Sequence, residues 1–495
     1  MHGHLKNIYF WYLLLLAWMP IPFASKRLWA ESIMEIWTFI LLVGVSVYLL
    51  KENSFLPQSI YKIKKIMLFF KMWVGYLILR TAVDLFSSQW SDFYAQNQKL
   101  VKQSLEIDPE MGSKVSEQLE LLSRYFDYGS GIQELILVFC YVGLFYLTTI
   151  LCSDKRRIQT LFVVISAVGI MEACLGLLNS AVFFFSNGAS DFRSIATGTF
   201  VNRNHYSAFL NISAFCILAI LLDVGLQERR SSHRWLAKNY LITRIMDWRI
   251  QFVVGFCLIL FAQLLTQSRT GLVVMAITSI IGVLIIGARR KIWAEYAHVI
   301  FTFAGIFAVM FVSIGIKIIS TRFTAESFEL DSRIEIWPVI FKIFQDNWLF
   351  GTGLRSLGQV YPLYNDGVVT HFVSHAHNDY LQTTVEQGLI GAGLLLVIIV
   401  LVYMRGIRTL LTSNKSGELA YTFGAFMVVT SMLLHGLTDF NFRIPSNAAY
   451  FFVMLAVLAQ YSWARKPRKK KKSSELYEPG AINNLDVKLR RKLLS

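Results

Sequence analysis

Apolar residues run through this chain in stretches of about 20, separated by shorter polar segments. A run of that length crosses a bilayer core of about 30 Å as an α-helix. The pattern predicts membrane-spanning helices near 8–24, 33–50, 66–86, 131–151, 158–185, 204–226, 251–267, 271–288, 297–319, 388–404, 420–440 and 446–463. The first run, Ile8 to Ala24, has the length of a signal-peptide core. Further spans follow it, so it reads as a retained first helix. The expected fold is an all-α polytopic membrane protein of about 12 helices over residues 1–463. A basic, disordered cytoplasmic tail is expected over 464–495.

The polar interruptions are unequal. The longest lies in the loop 320–387 and includes the stretch Asp331 to Gly388. A segment this polar cannot sit in lipid, because its backbone groups would lack partners. It must fold on one membrane face. A second segment, 87–130, mixes Glu, Asp and Lys; Val115, Leu119, Leu122 and Phe126 recur there at helical spacing, which predicts a short amphipathic helix. A third, 187–203, ends in TGTFVNRNHY, whose last residues open the sixth span.

Charge orients the chain. The net charge of +16 suggests nucleic acid only until its placement is read. Lys51, Lys62, Lys64, Lys65, Lys155, Arg156, Arg157, Arg229, Arg230, Arg289, Arg290, Lys291, Arg405, Arg408 and the tail RKPRKKKK all fall in alternate loops. Those loops are cytoplasmic by the positive-inside rule, which puts both termini inside and the long polar loops outside. The five cysteines sit in or beside apolar runs without metal or redox spacing and read as small buried hydrophobes.

Arginines on the outer side run against this bias. Arg269 lies in the tight turn QSRTG between two spans. It is either a snorkelling anchor or a diphosphate clamp, since guanidinium presents a planar donor fork that matches phosphate oxygens. Arg333 opens the central loop. Ser332 and Glu335 form a capping box that predicts a helix starting at Arg333, with Ile334, Trp337, Phe341 and Phe344 on one face. Pro338 should kink that helix or shift its start. Arg333 would then lie in the first turn, beside free N–H groups that favour anions; a surface salt bridge to Asp331 or Glu335 is the plainer reading. In SHAHNDYLQTTVEQG, a helix starting near His377 sets that imidazole at the membrane surface. There it either takes a proton from a hydroxyl or bonds to backbone. His371, His375 and His377 lack a further partner at metal-ligand spacing, and no metal site is expected. NRNHY brings Arg203 and His205 to the outer face. Asp439, in LTDFNFRIP, needs a partner such as Arg443 or a nearby Arg or His.

GTFVNRNHYSAF, SRTGL, SRIEIWPVIFKIFQDNWLFGTGLRS, the His377–Asn378 pair nine residues before Gly388, and TDFNFRIPSN together resemble the O-antigen ligase and polymerase family of bacterial envelope glycan assembly. The likeness covers about 195–455, roughly half the chain. It implies a GT-C-like, metal-independent glycosyltransferase of the bacterial inner membrane that needs no cofactor. Such an enzyme moves a glycan from undecaprenyl diphosphate to an acceptor hydroxyl at the periplasmic face. The resemblance assigns Arg269 and Arg333, with Arg203, to the donor diphosphate and His377 to general base, supported by Asn378, Asp439 and Gly388. The chain departs from the pattern at Pro338 and in the length of 87–130.

The chemistry agrees. A diphosphate leaving group gains charge as its C–O bond breaks, and positioned arginines can stabilise that charge. The acceptor is a lipid A-core or other glycan in a ligase, and a repeat unit in a polymerase; a pilin-like protein acceptor is a variant of the first. A lipid-linked glycan transporter would show internal repeats and charges along the mid-membrane. Apart from Lys71 such charges are few, and no repeat is visible.

Overall fold

In the computed structural model, the residues described are 3–52, 58–86, 128–186, 195–228, 248–288, 327–365 and 373–461, together with Gly305. The predicted ninth span at 297–319 apart from Gly305, the amphipathic pattern at 115–126, His371 and the basic tail lie outside them. Helices dominate because lipid offers no partner to backbone groups, and a helix satisfies its own. They are α1 (Gly3–Trp18), α2 (Leu28–Lys51), α3 (Gln58–Lys62), α4 (Lys64–Phe86), α5 (Tyr128–Leu151), α6 (Lys155–Ser186) and α7 (Arg203–Glu228). They continue with α8 (Trp248–Leu265), α9 (Arg269–Gly287), α10 (Ser327–Asp346), α11 (Leu357–Tyr364), α12 (Asp379–Thr412), α13 (Ser416–His435) and α14 (Pro445–Tyr461). Short 3₁₀ turns occupy Phe23–Ser25 and Asn441–Arg443.

Eight helices among the described residues are long and apolar enough to cross a membrane: α2, α4, α5, α6, α7, α9, α12 and α13. The apolar parts of α8 and α14, Ile250–Leu265 and Pro445–Gln460, are shorter. The first helix differs from its predicted span, ending at Trp18 rather than Ala24. Pro20 and Pro22, in the turn that follows, deny the amides that would extend it.

α7, α13 and α14 form the centre, with Phe209, Tyr421, Phe426, Tyr450 and Phe451 almost wholly buried. α2 stands at the periphery and shows Ile36, Ile40, Val43, Val47 and Leu50 outward, as a helix facing lipid does. One end of the bundle is marked by Lys155, Arg157 and Arg405. There Lys155 pairs with Asp223 at 2.9 Å, Arg157 donates to the Leu151 carbonyl at 2.7 Å, and Arg405 donates to the Lys62 carbonyl at 3.1 Å. The starts of α7, α9, α12 and α14 lie at the other end.

The central loop builds a small core of its own. α10 starts at Ser327, six residues before Arg333, and runs through Pro338 without a break. Ser332 and Glu335 therefore lie inside the helix and do not cap it. Arg333 is not in the first turn, so the argument from free N–H groups does not hold for it. The buried face is Ile336, Ile340 and Ile343 rather than the predicted stripe; Phe341 is 51 % exposed. That face packs on Leu357, Val360 and Tyr361 of α11 and on Val373, Ala376 and Val385, which covers the start of α12.

Gly388 breaks α12. At φ 64° and ψ −179° it occupies a region essentially reserved for glycine. The break frees backbone groups that the 348–353 loop takes up. Leu389 N–H donates to the Trp348 carbonyl at 2.8 Å, Thr352 N–H to Val385 at 2.8 Å and Gly353 N–H to Glu386 at 3.0 Å. A Cβ on Gly388 would overlap the Leu349 carbonyl, and one on Gly351 would overlap Gly388. From α4, Tyr76 Oη donates to the carbonyls of Phe350 and Gln387 at 2.8 and 2.9 Å, and Trp73 Nε1 to Gln387 Oε1 at 3.0 Å. The half-helix Asp379–Gln387 is thus set off from the rest of α12 and held at the break by α4 and the 348–353 loop.

Candidate active site

Four helix starts meet around the turn that joins α13 to α14. Ser268 caps α9, accepting from Gly271 N–H at 3.2 Å, and its hydroxyl donates to Asn204 Oδ1 at the start of α7 at 2.8 Å. Thr438 Oγ1 reaches Thr270 Oγ1 at 3.3 Å. Asn378 caps α12, accepting from Leu381 N–H at 3.0 Å, while its amide donates to the Leu437 carbonyl at 3.0 Å. Asn447 in α14 donates to the His205 carbonyl at 3.0 Å. Helix starts carry partial positive charge and free N–H groups, so their convergence favours an anion. Arg203 and Arg269 are the first residues of α7 and α9, both half-buried. Arg333 lies in α10; its side chain is outside the described residues.

Asp439 is the centre of the cluster. It is 1 % exposed, and its Oδ1 lies 3.6 Å from His205 Nε2 and 3.7 Å from His377 Nδ1. Burial alone pushes its carboxyl up, but the two imidazoles outweigh this and hold it well below the usual carboxylate range. The sequence left Arg443 open as its partner. Instead Arg443, itself buried, pairs with Glu386 at 2.7 Å and Glu134 at 3.0 Å. Its burial acts to lower its pKa, and those two carboxylates reverse the shift and raise it.

The Phe440 ring touches three histidines. It stacks on His375 with centroids 4.2 Å apart and meets His205 and His377 edge-on at 4.6 and 4.9 Å. His377 sits at φ 50° just before the Asn378 cap, a left-handed conformation uncommon outside glycine and frequent at functional sites. Its side chain is 33 % exposed, so one face of the ring is open while Nδ1 faces Asp439. The sequence predicted a helix starting near His377. The structure places both His375 and His377 before the helix, against one aromatic ring. Among the described residues no group of three or more His, Cys, Asp or Glu is arranged to hold a metal ion.

Loss of water around the half-buried His375 pushes its imidazole well below the ordinary histidine value, with Lys26 and Arg443 adding to the shift. In the unfolded chain it binds a proton below about pH 6.5; in the folded protein it stays neutral there. Its contribution to stability is therefore lost as pH falls below about 6.5, by at most about 1.4 kcal/mol per pH unit. We expect melting temperature in detergent to fall between pH 6.5 and 5, and His375→Gln to flatten that slope. An unchanged slope would show that His375 does not titrate on unfolding.

Several site residues carry no motif that pointed to them. Glu134, Arg355, Gln382 and Glu386 stand at the same end of the bundle, where Arg355 donates to Gln133 Oε1 at 2.8 Å and lies 4.0 Å from Glu134. The available signal was the spacing of Asp379, Gln382 and Glu386, which puts three polar side chains on one face of the helix.

No curated protein matches the chain. Residues 254–397, the stretch from α8 into α12 that holds Arg269, Arg333, His377 and Gly388, match the family model described as O-antigen ligase, and the match supports the O-antigen ligase family for this chain.

Proposed function

We propose that this protein is a metal-independent membrane glycosyltransferase of O-antigen ligase type. It transfers a glycan from undecaprenyl diphosphate to an acceptor hydroxyl at the periplasmic face of the bacterial inner membrane. The end that holds Lys155, Arg157 and Arg405 is cytoplasmic, with both termini there, in a GT-C-like arrangement of about 12 spans. The observation that supports this reading best is the meeting of four helix starts, Arg203, Arg269 and the His377–Asp439 pair at the end opposite Lys155, Arg157 and Arg405.

The acceptor O–H gives its proton to His377 while its oxygen attacks the anomeric carbon. The bond from that carbon to the diphosphate oxygen breaks, and undecaprenyl diphosphate leaves with the electron pair. Asp439, on the Nδ1 side, holds the tautomer with its proton on Nδ1 and stabilises the imidazolium. Nε2 is then the basic nitrogen. Arg269 and Arg333, with Arg203 and the helix starts, stabilise the charge that gathers on the diphosphate.

Proteoliposomes carrying labelled lipid-diphosphate glycan test the reading. We expect label to move to a glycolipid hydroxyl acceptor, with chelator present and without. Transfer to a second lipid-linked repeat unit instead would make the enzyme a polymerase. A requirement for an added divalent ion would overturn metal independence. For topology, a cysteine placed at Lys102 or Asp366 should react with an impermeant thiol reagent in intact cells, and one at Ser232 should not. Labelling at Ser232 alone would invert the orientation.

A further inference from the structure

The two histidines are held by more than their capping residue. Gln382, one turn into α12, accepts from the Ala376 N–H through Oε1 at 3.2 Å. Ala376 is the residue between His375 and His377. The same amide donates through Nε2 to Glu386 Oε1 at 2.9 Å and comes within 3.4 Å of His375 Nδ1. The two close partners fix its orientation, because an N–H requires the oxygen and a carboxylate requires the NH₂. Glu386 in turn pairs through Oε2 with Arg443 at 2.7 Å, and Arg443 pairs with Glu134 on α5 at 3.0 Å. Gln382 and Glu386 are almost wholly buried. The result is one chain of bonds from α5, through the turn that carries Asp439, along the half-helix, to the backbone of the histidine segment.

We propose that Gln382 and Glu386 are positioning residues, which hold the His375–Ala376–His377 backbone in the left-handed turn that aims His377 at Asp439. The proposal rests on His377 as the acceptor base. The left-handed conformation at His377 costs on the order of 1–3 kcal/mol and persists only where the surroundings impose it. The amide bond to Ala376 is the constraint nearest to it. Asp379 braces the same half-helix one turn earlier: its N–H donates to the Gly436 carbonyl at 2.8 Å, and its Oδ2 accepts from Phe442 N–H at 3.1 Å. Asp379 fixes where the half-helix starts, and Gln382 fixes the segment before it. Glu386 orients Gln382 and ties the assembly to Arg443. The bonds run one way, from Ala376 N–H into Gln382, and from the Gln382 amide and Arg443 into Glu386.

That direction supplies the test. Gln382→Leu removes both bonds at similar volume, and a base misplaced by about 1 Å costs on the order of 10²-fold. We expect kcat to fall by about that factor while donor binding, read with labelled lipid diphosphate, is unchanged. Gln382→Glu sets two carboxylates together and should be at least as slow. The exchange Gln382→Glu with Glu386→Gln keeps the bonds to Ala376, to Arg443 and between the two side chains. Ala376 N–H still meets an oxygen, the new amide at 386 donates to the new carboxylate at 382, and its oxygen accepts from Arg443. The exchanged protein should recover about 10-fold or more over Gln382→Glu, a coupling that independent sites do not show. Wild-type kcat in Gln382→Leu, or an exchanged protein no faster than Gln382→Glu, would overturn the proposal. If Gln382→Leu does not fold, the comparison of the exchange with Gln382→Glu decides alone. His377→Ala in the same assay separates the two readings. If it transfers at the wild-type rate, the assignment of the base falls; if it is inactive while Gln382→Leu is unimpaired, only the positioning role falls.

Discussion

His377→Ala should lower the rate of transfer about 10²–10⁴-fold, the range a general base contributes. Donor binding should survive, because the arginines and helix starts that would hold the diphosphate are untouched. The measurement is single-turnover transfer from a labelled lipid-diphosphate donor, beside equilibrium binding of the same donor. His375→Ala is the control, and the structure changes what it should do. His375, half-buried, stacks on Phe440 and approaches Gln382, so its loss removes packing under the turn. It should cost stability first and rate second. An active His377→Ala beside an inactive, well-folded His375→Ala would move the base by two residues. If both are active, proton removal falls to water or another group.

Arg269→Ala and Arg333→Ala should each reduce transfer at least 10²–10³-fold, the cost of removing one donor that stabilises developing charge. Protein should remain in the membrane in both. Arg269→Lys should restore little, because an ammonium lacks the planar fork that pairs with two phosphate oxygens. Arg269 has the stronger structural case. It is the first residue of α9, one position after the Ser268 cap that binds Asn204, so the start of a helix stands behind its charge. Arg333 has lost the equivalent argument, since α10 begins six residues before it. Full activity in Arg333→Ala would leave Arg203 and Arg269 to hold the diphosphate alone. Full activity in Arg269→Ala would count against the site at the α7–α9 junction.

The sequence by itself determined the membrane class, most of the helices and their alternation. Each rests on a local property: a run of apolar residues long enough for the bilayer, with lysine and arginine at alternate ends. It also offered His377, Arg203, Arg269 and Asp439 as candidates, because a charged or titratable group beside an apolar run is costly and stands out. Gly388 was legible as a spacing but not as a cause. Its role as a helix break appears only when the 348–353 loop is seen to donate to the carbonyls it frees.

The partners were not legible, because a partner is a neighbour in space. Asp439 has Arg443 four residues away, yet it faces His205 and His377, 234 and 62 positions distant in the chain. Arg443 instead answers Glu134 and Glu386, two buried carboxylates whose charge must be met within the protein. The capping box at Ser332 failed for a related reason. Burial of Ile336, Ile340 and Ile343 against α11 and the histidine segment gave α10 a longer support than one local cap provides. What the chain's own order decides is which residues can enter lipid. Which of the remaining polar groups meet at the membrane surface is decided by how the helices pack, since only that brings distant carboxylates, imidazoles and guanidinium groups within bonding distance.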